Sequence, residues 1–399
     1  MSRTMSASEV SEELGISVSS VYSYVSRGLL RSEPIPGSRE RRYLSEDVAR
    51  LKRRGRRRDT APGTPAPGGA GAYSVDTSLT LVNESGVWYR GHDAIGLARS
   101  SSVGEVASLL WTGETKFVAD LFACRPPVPE EWERVSETVR QLSRVDAFQI
   151  ALPVVAEADP SAYHIRPDAA ARTGARIIQM LTAVAADAEE LAISGIAETL
   201  QEAWAPRNER ATDLIRMALI LSADQGIDIN SFAARAIASA GASPYAVVSG
   251  GLASFQGVRH AGVTSRVAAL FAEIDRPAEA KIVLQVHLQR GNAIPGFGHP
   301  IFTNGDPRAE MILDKLPIAA KGSRELKRID EIVSAGEEVL GEKPTLDFAL
   351  VALAHVLELP EDAPLTLQAL GRSIGWIAHA IEQYSRSEPI RASARYIGR

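Results

Sequence analysis

Apolar residues recur at helical spacing over most of the chain. Val103, Val106, Leu109 and Leu110 form one stripe, opened by a capping box at Ser102 and Glu105 and closed by Gly113. Trp132, Val135, Val139 and Leu142 form a second stripe, and Ile177, Ile178, Leu181 and Val184 a third. Thr212 to Ala223 is apolar almost all round, which predicts a buried helix. Leu79 to Val82 and Val87 to Arg90, on either side of Ser85-Gly86, read as a hairpin. Strands do not alternate with helices, so a parallel sheet is excluded and residues 73–399 read as an all-α body.

The first residues follow another pattern. Ser6 and Glu9 form a capping box for a helix through Leu14, stopped by Gly15, and a second helix runs from Ser17 to Arg27 with Gly28 as its cap. Pro34-Ile35-Pro36-Gly37 then turns into the basic stretch Ser38 to Tyr43, and a short helix follows Ser45. Helix, turn, helix and basic wing in this order resemble the MerR-like helix-turn-helix modules, over roughly residues 5–53. Ser19, Ser20, Tyr22 and Arg27 on the second helix, with Arg39, Arg41 and Arg42 on the wing, are the candidate contacts to bases and phosphates. From Arg50 to Arg58 seven basic residues occur without an acid, and Asp59 to Ala72, with three prolines and four glycines, reads as a flexible linker. A small helical adaptor or dimerisation module with a solvated basic face is the plainer alternative for this head.

Charge sharpens the division. The 399 residues hold 44 Lys and Arg against 49 Asp and Glu, but residues 1–58 carry 13 basic and 7 acidic side chains, net +6, which leaves −11 on the rest. A basic head on an acidic body suits an anionic partner for the head alone. Cys124 is the only cysteine, so a disulfide framework is excluded and a reducing cytoplasm is expected. The start lacks the apolar core of a secretory signal, and no apolar run approaches membrane-spanning length. His92, His164, His260, His287, His299, His355 and His379 show no metal-ligand spacing, and no GxxxxGK loop occurs, so neither a metal nor a bound cofactor is expected.

Chemistry concentrates between Gly291 and Arg308, in GNAIPGFGHPIFTNGDPR. Gly296 and Gly298 flank Phe297 directly before His299, which lets the backbone take positive φ and present the imidazole at the tip of a turn. Pro307, after Asp306, predicts a helix start whose first turn carries Arg308. An Arg fork beside a histidine donor suits a small oxo acid, the fork taking a carboxylate and the imidazole the adjacent carbonyl. On its own, the segment reads equally as a Gly/Pro loop around a structural histidine.

Taken together, several motifs are more specific. Tyr89-Arg90-Gly91, SSSVGEVASLLWTGE, His260, GFGH ending at His299, DPRA at Arg308, PTLDF at Asp347 and GWIAHAIEQ from Gly375 resemble the citrate synthase family in order and spacing, over about residues 75–398. The resemblance implies an all-α homodimer with a large lobe (73–260 and 366–399) and a small lobe (261–365) that closes over the substrates, behind a head at 1–58 and a linker at 59–72. It implies condensation of an acyl-CoA methyl carbon with the ketone of oxaloacetate, then thioester hydrolysis: acetyl-CoA yields citrate and CoA, propionyl-CoA 2-methylcitrate. Asp347 would be the base, a neutral His260 the donor to the thioester oxygen, and His299 the group polarising the ketone. Arg308, Arg372 and Arg391 would clamp carboxylates, Arg391 reaching across the dimer interface. The chain also departs from the family pattern. A usual Asp-His-Glu triplet reads Asp224-Gln225-Gly226, so Gln225 offers the substrate a hydrogen bond without charge. The turn around His260 carries Arg259 and Ala261, and Pro300-Ile301-Phe302-Thr303 offers no cation for CoA phosphates, leaving Arg259, Lys315 or Lys321 as substitutes. Two functions are expected: an acyl-CoA:oxaloacetate C-acyltransferase, or a regulator that binds duplex DNA through residues 1–58 and senses oxaloacetate or acyl-CoA with its body.

Overall fold

The computed structural model describes residues 4–14, 21, 25, 30–34, 41–45, 47–48, 75–188, 195–258, 262–320, 323–386, 389–391 and 398. Its contacts divide the chain into Met1–Pro65 and Ala66–Arg399. In the first unit, β1 (Thr4–Met5) leads into α1 (Ala7–Leu14), and β2 (Ser32–Pro34) and β3 (Arg41–Leu44) follow. β3 is central and antiparallel to both neighbours, with Met5 opposite Tyr43 and Glu33 opposite Arg42. The capping box forms: the Glu9 amide donates to Ser6 Oγ at 3.3 Å and the Ser6 amide to Glu9 Oε2 at 2.6 Å. Val10, Val21, Leu30, Tyr43 and Val48 make a small core. The buried Asp47 carboxylate takes the Arg31 amide and guanidinium. Of the expected wing, Arg41, Arg42 and Tyr43 lie on β3, and its earlier residues fall outside the described ones. Arg41 and Arg42 are exposed on that strand, Arg41 donating to Ser32 and Arg42 lying 3.7 Å from Glu9. Ser19, Ser20, Tyr22, Arg27 and Arg39 lie outside the described residues.

The second unit begins with the hairpin, β4 (Thr80–Asn83) and β5 (Gly86–Tyr89), extended by β6 (His92–Asp93). Helices follow: α2 (Ala94–Ser100), α3 (Val103–Thr112), α4 (Val118–Phe122), α5 (Trp132–Val139), α6 (Arg144–Glu157), α7 (Pro167–Ala185), α8 (Ile196–Trp204) and α9 (Ala211–Leu221). After these come α10 (Ile229–Ser239), α11 (Pro244–Phe255), α12 (Gly262–Glu273), α13 (Ala280–Gln289), α14 (Pro307–Ala319), α15 (Arg324–Leu340), α16 (Leu346–Leu357) and α17 (Ala363–Tyr384). Ser102 and Glu105 cap α3 reciprocally, and Gly113 ends it in the left-handed region at φ 88°. One stripe is shorter than its spacing predicts: α5 ends at Val139, and Leu142 lies beyond it, 39% exposed. After Val139 the Gln141 and Leu142 amides turn back to the Thr138 and Val139 carbonyls, three residues earlier, and the helical spacing is lost. Among the described residues no helix is long and apolar enough to cross a membrane.

α17 is buried along almost its whole length and packs on α3, α7, α9, α10 and α11. Two glycines make the closest approach possible. A Cβ on Gly371 would sit 2.7 Å from the Leu219 carbonyl oxygen, and one on Gly375 2.3 Å from that of Ala223, so only a missing side chain admits the end of α9. Polar residues on this helix are paired across it. Arg235 of α10 donates to Glu382 Oε2 at 2.6 and 2.7 Å and to His379 Nδ1 at 2.9 Å, while Glu382 Oε1 takes the Ser78 amide at 2.8 Å. An Arg N–H can only donate, so His379 Nδ1 accepts and its Nε2 proton faces Asp224 Oδ1, 3.3 Å away. Burial pulls the Glu382 carboxyl upward, but the Ser78 amide and Arg235 outweigh it and hold it at about 2.

Gly375→Ala is expected to lower the unfolding free energy by about 1–3 kcal/mol, because the new methyl meets backbone that cannot step aside. Urea denaturation measures this; a midpoint unchanged from the parent would show that α9 and α17 have room to separate.

Candidate active site

The loop before α14 is built as its glycines predict. Gly296 and Gly298 take φ of 86° and 74°, and between them Phe297 forms an antiparallel bridge with Pro344. The Gly298 amide donates to the Lys343 carbonyl at 3.0 Å and the Thr345 amide to that of Gly296 at 2.9 Å. This pairing lays the His299 loop against the segment that opens α16, whose first turn carries Asp347. Phe297 turns inward, its ring edge-on to Phe348 at 5.2 Å. Its partner segment lies more than forty residues on, so nothing in the sequence announces the bridge.

His299 is held by its own loop. Its Nδ1 accepts the amides of Ile301 and Phe302, each at 3.2 Å, and its ring lies 4.6 Å from that of Phe302. With Nδ1 accepting, the proton sits on Nε2, which makes the neutral ring a donor. Burial, then the nearby Arg308 guanidinium, push its pKa down to about 4.

Arg308, the second residue of α14, is buried with Asp306, the cap of that helix. Its Nε and Nη2 donate to the two Asp306 oxygens at 2.9 and 2.8 Å, and the guanidinium lies 5.4 Å over the Phe302 ring. Asp306 Oδ2 also takes the Leu346 amide at 3.2 Å, so one carboxylate ties the start of α14 to the start of α16. Burial works against that carboxylate, but Arg308 outweighs it and keeps Asp306 ionised.

Asp347 Oδ1 accepts from Thr264 Oγ1 of α12 at 2.6 Å and from Gln368 Nε2 of α17 at 3.3 Å. Near Arg308, the buried Tyr89 hydroxyl donates to the Ile220 carbonyl at 3.0 Å and accepts the Asp224 amide at 3.3 Å. The charges of Arg308 and Arg372 both act on that phenol, whose pKa burial raises. Arg372 is fully buried, bonded to Asp224 at 2.9 Å, to both Asp228 oxygens at 3.0 Å and to Ser231 at 2.9 Å. Asp224 would be raised by burial, yet His379 and Arg372 hold it well below the usual carboxylate range.

The structure therefore brings His299, Arg308 and Asp347 together and sets Arg372 with Asp224. Gln225, half-buried beside Asp224, makes no hydrogen bond among the described residues, and Arg391 is exposed. His260, with Arg259 and Ala261, lies outside the described residues, two positions ahead of α12; Lys321 is likewise outside them, and Lys315 is exposed. Thr264, Gln368, Asp306 and Asp228 escape the sequence reading as site residues. Asp306 had a signal, since Asp before Pro-Arg is a helix cap; Gln368, one of two amides in a largely buried helix, had a fainter one.

Residues 68–393 match the family described as citrate synthase, C-terminal domain, and residues 5–56 match the MerR HTH family regulatory protein. The chain is 27% identical over 338 residues to a citrate synthase of Haloferax volcanii, covering 78% of this chain and 89% of that one. It is 28% identical over 373 residues to a 2-methylcitrate synthase of Shewanella oneidensis, covering 83% and 93%. Among solved structures, citrate synthase from Thermotoga maritima shares the fold with a TM-score of 0.69 at 24% identity, covering 84% of this chain and 96% of that one. Citrate synthase from Thermoplasma acidophilum, in a ternary complex with carboxymethyl coenzyme A and oxaloacetate, gives 0.68 at 22% identity, covering 82% and 94%. The family match spans most of the chain and includes every site residue just described, and the chain belongs to the citrate synthase family.

Proposed function

We propose that the protein is an acyl-CoA:oxaloacetate C-acyltransferase that condenses acetyl-CoA with oxaloacetate to give citrate and CoA. The observation that carries this reading is the Phe297–Pro344 bridge, beside which lie an imidazole donor and a carboxylate held ready for a proton. A thioester α-proton is very weakly acidic, so a positioned base must remove it while a donor stabilises the enolate oxygen. Asp347 is that base and His260 that donor. The enol carbon then attacks the ketone carbon of oxaloacetate, whose oxygen takes a hydrogen bond from His299 Nε2. Water cleaves the resulting thioester, releasing CoA. Arg308 and Arg372 on this chain, and Arg391 from the second subunit of a homodimer, supply positive charge for the two carboxylates, and Gln225 one further donor. The two lobes, 73–260 with 366–399 and 261–365, close over these groups. A propionyl-CoA-specific 2-methylcitrate synthase uses the same chemistry, and the ratio of kcat/KM for the two thioesters separates them.

A second reading draws on the head. Its match to a regulatory family, and the exposed Arg41 and Arg42 of β3, favour a regulator that binds duplex DNA and senses oxaloacetate or acyl-CoA.

Three outcomes are expected. Asp347→Asn keeps the shape and removes the base, so thiol release from acetyl-CoA and oxaloacetate should fall about a hundredfold to ten-thousandfold; undiminished release would end the assignment. His299 should be the Nε2–H tautomer by nitrogen NMR above about pH 5 and should not titrate near its ordinary value. Because the unfolded chain takes this proton first, at about pH 6.5, the stability owed to His299 is present above that value and declines as the pH falls toward about 4. For the head, fluorescence anisotropy should show duplex affinity falling linearly with salt on logarithmic axes. Replacing both Arg41 and Arg42 by Ala should shrink that slope by about 2, and a slope near zero for the parent would exclude the regulator.

A further inference from the structure

Asp228 has a capping task that a neutral oxygen could also fill. It caps α10, its Oδ1 accepting the amides of Asn230 at 3.1 Å and Ser231 at 2.8 Å. A neutral amide or hydroxyl oxygen caps a helix about as well as a carboxylate. Arg372 also has a second carboxylate, since Asp224 meets that guanidinium at 2.9 Å in a fully buried setting. Yet both Asp228 oxygens reach Arg372 Nη2, at 3.0 Å each. Arg308 and Arg372 have Asp306, Asp224, Asp228 and Asp347 as their acidic neighbours, so negative charge exceeds positive among these residues. A doubly charged oxo acid that reaches Arg372 must compete for a guanidinium that is doubly taken.

We propose that Asp228 sets the affinity for the oxo acid by competing with the substrate carboxylate for Arg372. This rests on the oxo-acid reading of the pocket and adds its specificity determinant. The negative charge of Asp228 keeps Arg372 turned toward α10, and oxaloacetate gains that cation only by displacing it.

The test is calorimetric titration of the full-length protein and of two variants, Asp228→Asn and Asp228→Ser, with freshly prepared oxaloacetate. Both variants keep an oxygen for the cap and lose the charge. The dissociation constant should fall about tenfold in each, the order that one screened charge supplies, with thermal unfolding close to that of the parent. Unchanged or weaker binding by folded variants overturns the proposal. Loss of the fold in both variants overturns it too, because the charge would then be structural. The readout is independent of turnover. Tighter binding without thiol release would keep this inference and remove the synthase assignment, and thiol release with unchanged binding would do the reverse. No binding by any of the three proteins at millimolar oxaloacetate overturns the inference together with the pocket reading beneath it.

Discussion

Asp306 is 1% exposed, and a carboxylate so far from water is tolerable only if its oxygens are filled with donors. It receives the Arg308 amide, two guanidinium N–H groups and the Leu346 amide. Those donors belong to the starts of two helices, which are also the positive ends of their dipoles. Satisfying one buried charge therefore fixes α14 against α16. His299 lies a few residues before this carboxylate and Asp347 one residue after Leu346, so their relative placement follows from the same requirement. The Phe297 bridge and the aromatic contact with Phe348 fill the space between.

A second set of buried charges governs the opposite wall. Ser78, Glu382, Arg235, His379, Asp224, Arg372 and Asp228 form a continuous chain of donors and acceptors across α10 and α17. Burying ions is costly, and removing one partner strands the other, so such a chain enforces a single arrangement more than it adds net stability. The small residues Gly371 and Gly375 let backbone approach closely enough for Arg372 to reach Asp224 at all. In this wall, packing and electrostatics are one constraint.

The elements of the fold were largely legible. Capping boxes at Ser6 and Ser102, the hairpin before Arg90, the stop at Gly113 and the helix start at Pro307 all depend on residues a few positions apart, and local rules read them directly. Leu142 falls beyond its helix because apolar spacing does not register where the backbone tightens into turns after Val139. Two donors of the Arg308 fork meet Asp306, a neighbour whose cap role local rules show and whose charge role they do not.

What the sequence alone determined is therefore the helical body, the basic head and a turn that presents His299, because each is dictated by backbone preferences acting over a few residues. Tertiary structure alone decided what surrounds the chemical groups: Thr264 and Gln368 on Asp347, the bridge from Phe297 to Pro344, and the two aspartates on Arg372. Asp224 and Arg372 are 148 positions apart. Pairing of buried charges has no period along a chain; it is settled by which side chains the packed helices leave without water.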